Sequence, residues 1–413
     1  METRRVVITG MGVISPLGLD VPTMWQNLIE GKSGIGPITL FDTTDLGVTI
    51  AGEAHGFDPL NYMSAKDARR ADRFTHFAIA ALEEVLAQSG LEVNRHNAYD
   101  IGVVVGSGIG GIATYTVELD NLRENGPRRV SPLLVPMITI DVASVQIALR
   151  TGAQGPNLGV ASACATGADS MGLAFETIRR GDAKAMFAGS VEAAVTPIGM
   201  ATFDRMRAIS RRNDEPEKAS RPFDVDRDGF VLAEGGAVLL LEDLDFALAR
   251  GAEPLAEMIG YAATSDAVHI TAPDADGASA ARCMRLAMKR AGVAPAEVSY
   301  INAHGTSTPL GDPAETAAIK RAMGDQAYRV PISSAKSMTG HLSAGSGSLE
   351  AAICVQAIRN NLIPPTINLD TPDPACDLDF VPHHTRQAQV DIAMSNSFGF
   401  GGHNAVIILK TYN

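Results

Sequence analysis

One cysteine of the sequence lies where nucleophilic chemistry is favoured. Cys164 stands in the segment GVASACATGADSMGLAFETIRRG, after a strand-like run and before an apolar stripe with helical spacing. A thiol on the first turn of that helix would meet unpaired backbone N–H groups and the positive end of the helix dipole, which favour the thiolate. The same N–H groups could hold an oxyanion. A free thiol is more often a buried structural residue, a role that suits Cys283 and Cys354 better because they lie inside helical patterns.

Two histidines also follow predicted strands, in loops rich in small residues. His304 lies in YINAHGTSTPLGD, and His341 lies in ISSAKSMTGHLSAGSGSLE, five residues after Lys336. A lone histidine is usually structural, but beside a cysteine these two could serve as acid, base or hydrogen-bond donors to a developing oxyanion. The three residue types together indicate covalent catalysis at strand-to-helix junctions.

Two further patterns resemble functional motifs but have simpler interpretations. Asp312, Pro313 and Glu315 predict the start of a helix, with Asp312 as the N-cap and Glu315 completing a capping box. Residues 106–111 match the glycine-rich pattern G-x-G-x-x-G, and residues 10–15 nearly match it. A dinucleotide site would also need an acidic residue at the end of the next strand, and neither segment shows one clearly. Nucleotide binding is therefore disfavoured.

The elements that must position these residues are repeated along the chain. Apolar residues recur at the same helical spacing in 74–85 and in 280–291, and the two predicted helices end at Gly90 and Gly292. Each helix is followed by an apolar strand and then by a glycine-containing loop; the strands are 101–105 and 298–302. This recurrence predicts an internal duplication.

A second pair of segments repeats the order strand, loop, helix. These segments are 158–180, which carries Cys164, and 330–358, which carries His341. Alternating strands and helices predict a layered α/β architecture. We expect two related halves, residues 1–250 with the cysteine and residues 251–413 with the two histidines.

Composition excludes several classes of protein. The 413 residues include 34 Lys and Arg against 47 Asp and Glu, and the formal net charge of −13 argues against a nucleic-acid partner. The 4 cysteines lack Cys-x-x-Cys spacing, so neither a zinc site nor a disulfide framework is indicated, and reduced thiols point to the cytoplasm. The N-terminal segment lacks the apolar region of a signal peptide. The longest uncharged stretches, 151–168 and 392–409, are too rich in Gly, Asn and polar residues to span a membrane.

Four motifs, in order along the chain, closely resemble those of the elongating 3-oxoacyl-(acyl-carrier-protein) synthases. They are ACATG around Cys164, NAHGTSTPLGD around His304, KSMTGHLSAGSG around Lys336 and His341, and NSFGFGGHN near the C-terminus. The resemblance runs along essentially the whole chain, and GSGIGG around Ile109 is similar to the type II members. It implies a thiolase-like fold with α/β/α/β/α layers built from two duplicated halves. It also implies a homodimer, cytoplasmic fatty-acid elongation, and no redox cofactor or catalytic metal.

The resemblance assigns a reaction to these residues. Cys164 would take an acyl group delivered by acyl carrier protein, and a malonyl group on a carrier protein would then lose CO₂. The resulting carbanion would attack the acyl-cysteine and give a 3-oxoacyl product two carbons longer. His304 and His341 would hydrogen-bond the malonyl thioester oxygen, while the backbone N–H groups of Cys164 and Phe400 would form a second oxyanion hole. Phe400 would also act as a gate, with glycines around it.

Supporting positions are implied in the same way. Lys336 would organise the His341 loop together with Glu350. The positions that match binding residues are Ile109, Phe203, His269, Thr271, Thr306 and Thr308. Of these, the two threonines at 306 and 308 would hold the phosphopantetheine arm, and Ile109 would limit acyl-chain length. His403 departs from the family, which most often has threonine there, and whether a structural cation is bound, as in some relatives, is left open.

Positive charge gathers in three clusters of this acidic chain. Solvated faces are the default explanation for such clusters, and docking of an acidic carrier protein is the functional one. The clusters are Lys66, Arg69, Arg70 and Arg73; Arg123, Arg128 and Arg129; and Arg205, Arg207, Arg211 and Arg212. The docking residues that we predict are Lys66, Arg69, Arg70, Arg128, Arg129 and Arg207.

Three alternatives share part of this pattern. A thiolase would use coenzyme A substrates and a second cysteine near the C-terminal glycine-rich loop, which NSFGFGGHN does not contain. A polyketide ketosynthase would keep the same Cys-His-His residues, so catalysis alone does not separate it. A non-enzymatic chain-length factor would lack the nucleophile that Cys164 supplies. Preferred chain length and unsaturation are not determined by these motifs.

Overall fold

The computed structural model describes residues 4–412. The strands within them are β1 (Val6–Ile14), β2 (Ile35–Pro37), β3 (Ile50–Gly52), β4 (Ile101–Gly106), β5 (Asn157–Leu158), β6 (Ala185–Glu192), β7 (Gly235–Asp243), β8 (Ala256–Ser265), β9 (Tyr300–Asn302), β10 (Ile332–Ser333), β11 (Leu362–Ile363), β12 (Arg386–Gln387), β13 (Ile392–Gly399) and β14 (His403–Lys410). The α-helices are α1 (Val21–Ile29), α2 (Ala65–Ala68), α3 (Arg73–Ser89), α4 (Ile112–Asn125), α5 (Leu134–Ile138), α6 (Val142–Thr151), α7 (Thr166–Arg180), α8 (Pro197–Arg205), α9 (Leu244–Ala249), α10 (Ala278–Ala291), α11 (Gly311–Met323), α12 (Lys336–Thr339) and α13 (Ser346–Asn360).

One mixed sheet of ten strands organises the described residues. Its order is β10-β9-β13-β14-β8-β1-β7-β6-β4-β5, and the two halves have the same pattern of parallel and antiparallel neighbours. In the first half, β4 lies parallel to β5 and β6, while β7 is antiparallel to β6 and β1. In the second half, β9 lies parallel to β10 and β13, while β14 is antiparallel to β13 and β8. The two halves join where β1 pairs with β8.

Helices fill the layers on and between the two halves of the sheet. α7 and α13 form the central layer, because their buried side chains share one apolar core with strands of both halves. α3 and α6 cover the outer face of the first half. α10 and α11 cover the outer face of the second half. The resulting order is α/β/α/β/α, as predicted, whereas a domain boundary at residue 250 stays a prediction.

The paired helices form where their periodicity predicts them. α3 and α10 both bury their apolar stripes and end at glycines in the left-handed region, Gly90 with φ 61° and Gly292 with φ 68°. A left-handed C-cap suits glycine because it has no Cβ to clash with the following carbonyl. Among residues 4–412, no helix combines the length and the apolar character needed to cross a bilayer.

The capping box predicted at Asp312 is wrong. α11 begins two residues earlier than predicted, at Gly311, with Leu310 as its N-cap and no side-chain cap. Asp312 is buried, and its carboxylate accepts hydrogen bonds from the backbone N–H groups of Phe223 (2.8 Å) and Ser307 (3.1 Å). The residue therefore ties two loops together across the fold, which local sequence spacing does not reveal.

Candidate active site

Cys164 lies at a sharp turn between β5 and α7. The preceding residue, Ala163, has φ 50°, a left-handed conformation that is unfavourable for a residue with a Cβ. The first helical residue of α7 is Thr166, two positions after the cysteine. The turn therefore places the thiol just before a helix N-terminus, within the central layer.

His341 contacts the thiol directly. Its Nε2 lies 3.1 Å from Cys164 Sγ, and its Nδ1 lies 3.0 Å from Ser346 Oγ. Ser346 Oγ also accepts a hydrogen bond from the backbone N–H of Leu342, which fixes the hydroxyl at the start of α13. When this hydroxyl donates its proton to Nδ1, the imidazole carries its own proton on Nε2 and presents an N–H to the cavity.

His304 completes the group and comes from the same half of the chain as His341. Its ring centroid is 5.4 Å from that of His341, with the two rings nearly perpendicular. One ligand-type atom from each of Cys164, His304 and His341 lies within 4.8 Å of the others. The backbone N–H groups of His304 and Gly305 donate to the buried Glu315 carboxylate at 2.8 and 2.7 Å. Glu315 thus positions the His304 loop, a role that the capping-box interpretation missed.

Both histidines are neutral in this environment. Burial holds the pKa of His304 and that of His341 well below the usual range, and the positive charge of Lys336 lowers both further. Lys336 is itself buried and forms an ion pair with Glu350. A neutral imidazole can donate one hydrogen bond and still pack in an apolar site, which suits stabilisation of a developing negative charge.

Burial opposes the thiolate form of Cys164 that the helix N-terminus favours. Burial raises the pKa of the Cys164 thiol to about 11, although the backbone N–H of Phe400 and the charge of Lys336 oppose that rise. Desolvation therefore outweighs the helix N-terminus, on which the sequence argument depended. The resting nucleophile is a thiol next to a neutral His341.

The hairpin between β13 and β14 presents Phe400 to the cysteine. The neighbouring Gly399 packs so closely that a Cβ there would lie 3.0 Å from the backbone nitrogen of Cys164. Gly401 and Gly402 adopt φ 85° and 75°, which the tight turn requires. The backbone N–H groups of Phe400 and Cys164 both face the sulfur, where they can stabilise an oxyanion.

A cavity of about 530 Å³ leads to these groups. Its volume is in the range of small-molecule sites. Besides the cysteine, the two histidines and Phe400, it is lined by the predicted substrate positions Ile109, Phe203, Thr271, Thr306 and Thr308. His269 is not brought into the cavity: it is exposed, and its Nδ1 accepts from the backbone N–H groups of Thr271 and Ala272.

A buried carboxyl group that sequence reasoning did not single out underlies the Ile109 loop. Glu192, at the end of β6, accepts from Ser107 Oγ and from the backbone N–H of Gly108, both at 2.8 Å. Burial raises the pKa of this carboxyl group to about 7. A lone charged residue ending an otherwise apolar strand is the sequence signal that could have identified it.

The basic clusters divide into paired and unpaired residues. Arg73 donates to the fully buried Glu234 at 2.7 Å, and Arg211 pairs with Asp204 at 2.8 Å. The six predicted docking residues are all exposed, and across residues 4–412 none of them forms an ion pair. Arg207 also borders the cavity. These charges are free to meet a partner.

Fold and site together are those of a condensing enzyme that transfers acyl groups. The family model of the beta-ketoacyl synthase N-terminal domain matches residues 3–247, and that of the C-terminal domain matches residues 255–370. The chain belongs to the beta-ketoacyl synthase family. The predicted resemblance is thereby confirmed.

Curated relatives match the chain from end to end. A 3-oxoacyl-[acyl-carrier-protein] synthase 2 from Synechocystis sp. is 50% identical and covers 100% of this chain and 99% of its own length. One from Coxiella burnetii is 49% identical, with 99% of each chain covered.

Solved structures confirm the thiolase-like fold. A beta-ketoacyl synthase from Burkholderia phymatum STM815 superposes with a TM-score of 0.92 at 35% identity, over 99% of this chain and 100% of that one. A type II polyketide acyl-carrier protein complex with its ketosynthase, bound to a hexaketide, matches with a TM-score of 0.91 at 33% identity, over 100% of both chains.

Proposed function

We propose that this chain catalyses the decarboxylating condensation of an acyl-Cys164 intermediate with malonyl-acyl-carrier protein, giving a 3-oxoacyl product extended by two carbons in fatty-acid elongation. One observation carries the proposal. Cys164 Sγ lies 3.1 Å from His341 Nε2, beside His304 and under the backbone N–H of Phe400, in a cavity open to substrate.

The first half-reaction is transthioesterification. Cys164 Sγ attacks the acyl thioester carbonyl, and the N–H groups of Cys164 and Phe400 stabilise the tetrahedral oxyanion. Collapse breaks the bond to the pantetheine sulfur, which leaves as a thiol with the proton lost by Cys164. His341 Nε2, 3.1 Å from Sγ, can carry that proton when the ring is in the other tautomer, with its own proton on Nδ1 and donated to Ser346 Oγ.

The second half-reaction depends on the neutral histidines. As the malonyl carboxylate leaves as CO₂, its electron pair moves onto the thioester oxygen, where N–H donors from His304 and His341 stabilise the enolate. The enolate carbon then attacks the acyl-Cys164 carbonyl. Collapse of that intermediate releases the product and expels Cys164 as a thiolate. The thiolate takes one proton from solvent to restore the resting thiol, so that one proton is consumed in each turnover.

Fatty-acid elongation is favoured over polyketide extension. The curated relatives named 3-oxoacyl-[acyl-carrier-protein] synthase 2 are 48–50% identical to the chain. The solved polyketide ketosynthase complex is 33% identical, and an ishigamide ketosynthase/chain length factor is 37% identical. The nucleophile at position 164 argues against a chain-length factor for this chain.

The exposed basic residues would dock the carrier protein. Lys66, Arg69 and Arg70 form one group on and beside α2, while Arg128 and Arg129 follow α4. Arg207 lies beside the cavity that would receive the phosphopantetheine arm. Thr306 and Thr308, whose hydroxyl oxygens lie 3.1 Å apart, would hydrogen-bond that arm.

A homodimer fits the open edge of the sheet. β5 ends the sheet and is exposed, with one side of its backbone free to pair with a second copy. Large apolar side chains around it are exposed, including Leu158 at 49% and Leu149 at 73%. Sedimentation velocity should give a dimer, and Leu158→Lys should shift it toward monomer.

A cytoplasmic location accords with the 4 free cysteines. We also propose a site for a structural cation of the kind that some relatives hold. Four buried side-chain oxygens have no hydrogen-bond partner within residues 4–412: Asn302 Oδ1, Glu350 Oε2, Ser395 Oγ and Asn396 Oδ1. Glu350 is also the partner of Lys336 in the buried ion pair. Oxygen donors of this kind fit a hard cation, which would stabilise the Glu350 carboxylate.

The direct test is a condensation assay with acyl- and malonyl-carrier proteins. We expect one CO₂ and one 3-oxoacyl-carrier protein per turnover, and no product from Cys164→Ala. Products that grow by more than one unit would indicate polyketide extension. A wild-type protein that makes no carbon–carbon bond with any carrier-bound acyl group would refute the proposal.

A further inference from the structure

The candidate active site has a second chemical property that condensation does not use. Among the described residues, Cys164, His304 and His341 form the one group of three or more His, Cys, Asp or Glu side chains placed closely enough to share a metal ion. A thiolate and two imidazoles are the ligands that borderline-soft divalent metals prefer, above all Zn²⁺. Sequence spacing does not reveal this group, because the three residues come from separate loops of the chain.

We propose that Cys164, His304 and His341 bind one Zn²⁺ ion as an inhibitory Cys-His-His site, with the fourth coordination position open to the cavity.

The distances suit tetrahedral coordination. With Zn–S about 2.3 Å and Zn–N about 2.0–2.1 Å, sulfur and nitrogen ligands of one zinc ion lie roughly 3.6 Å apart. Cys164 Sγ and His341 Nε2 are 3.1 Å apart, and all three ligand atoms lie within 4.8 Å of one another. Small side-chain movements therefore reach the required geometry without a change in the backbone.

Outer contacts hold the ligands in place. His341 Nδ1 lies 3.0 Å from Ser346 Oγ, so that with zinc on Nε2 the ring can donate its Nδ1–H to that hydroxyl. Phe230 packs edge-on against the His341 ring at 5.1 Å, and Phe398 packs against the His304 ring at 5.9 Å. Ligands oriented in advance lose little freedom when a metal binds.

The surrounding charges permit a cation. Lys336 is the positive group closest to the histidines, but it is paired with Glu350. The Glu192 carboxyl group also lines the cavity. Binding converts S–H and Zn²⁺ into S–Zn and one released proton, which leaves a net charge of +1 on the metal–thiolate unit.

Zinc and an acyl group would exclude each other, since both need the sulfur lone pair of Cys164. The inhibition rests on the proposed function, but the binding does not. The two proposals can therefore be refuted separately. Acyl loading is measured on metal-free protein, and zinc affinity is measured without substrate.

The experiment is an anaerobic titration of reduced, chelator-treated protein with ZnCl₂. The titration is monitored by calorimetry in two buffers of different ionisation enthalpy, which gives the number of protons released. We expect one Zn²⁺ per chain with release of one proton. Co²⁺ in its place should give a thiolate-to-cobalt charge-transfer absorption. Cys164→Ala and His341→Ala should each weaken zinc binding by at least about 100-fold, the upper end of what loss of an outer-shell partner costs.

Cys283→Ala is the matched control, because Cys283 is buried on α10 outside the cavity. Its zinc affinity should equal that of the wild type. Acylation of Cys164 should abolish binding, and a chelator should restore condensation by the zinc-inhibited enzyme. Wild-type protein that binds no zinc, or a Cys164→Ala variant that binds with unchanged affinity, would overturn the proposal.

Discussion

Replacing each histidine by alanine should separate the two half-reactions. His341 Nε2 lies 3.1 Å from Cys164 Sγ, whereas His304 has no such contact and its Nδ1 has no hydrogen-bond partner in residues 4–412. Loss of one oxyanion donor typically costs about 10²–10³ in rate, or about 2.7–4 kcal/mol. His304→Ala should therefore slow malonyl decarboxylation by that factor and leave Cys164 acylation nearly unchanged. His341→Ala should slow both steps.

The His304 variant is a clean perturbation. Glu315 holds this loop through backbone N–H groups, which alanine retains. The assay is CO₂ release from malonyl-carrier protein, with acylation followed separately by intact mass. His384→Ala, an exposed histidine outside the cavity, is the control and should match the wild type. A His304→Ala enzyme that decarboxylates at the wild-type rate would remove His304 from the enolate site.

Three further predictions concern the cavity, the surface and the thiol. Ile109→Phe should reduce activity on long acyl chains more than on short ones, because Ile109 lines the cavity; equal losses at every length, at matched protein stability, would make it a packing residue. Changing Lys66 and Arg69 to Glu should raise KM for carrier-bound substrates, and this effect should shrink as salt is added. The rate with small pantetheine thioesters should not change, and equal losses on both substrate types would argue against docking. Burial raises the pKa of Cys164 to about 11, so the rate at which this thiol is alkylated should still rise about tenfold per pH unit between pH 7 and 9. A plateau in that rate by pH 8 would mean that the helix N-terminus and His341 stabilise the thiolate.

Local patterns predicted the framework of the fold. The helices at 73–89 and 278–291 follow from apolar periodicity and terminal glycines, and the repeated order of elements indicated the duplicated layers. The reactive residues were found because each stands where a short strand meets a loop rich in small residues. Their mutual distances were not predictable, since Cys164 and His341 are 177 residues apart in the chain.

The sequence-based interpretations failed for residues whose role depends on burial or on contacts with distant parts of the chain. Asp312 and Glu315 match a local capping pattern, yet their carboxylates accept N–H groups from other loops. Glu192 supports the Gly108 loop from 84 residues away. The thiolate argument for Cys164 counted the helix N-terminus but not the desolvation of the sulfur, which the sequence does not display.

The most direct test of the central claim is the intact mass of the protein after incubation with a panel of acyl-carrier proteins and no malonyl substrate. We predict one added acyl group per chain, removable by hydroxylamine and located on the peptide that contains Cys164. Cys164→Ala should remain unmodified, while Cys283→Ala should load like the wild type. Acyl loading of the Cys164→Ala variant at the wild-type level would contradict the assignment of Cys164 as the nucleophile.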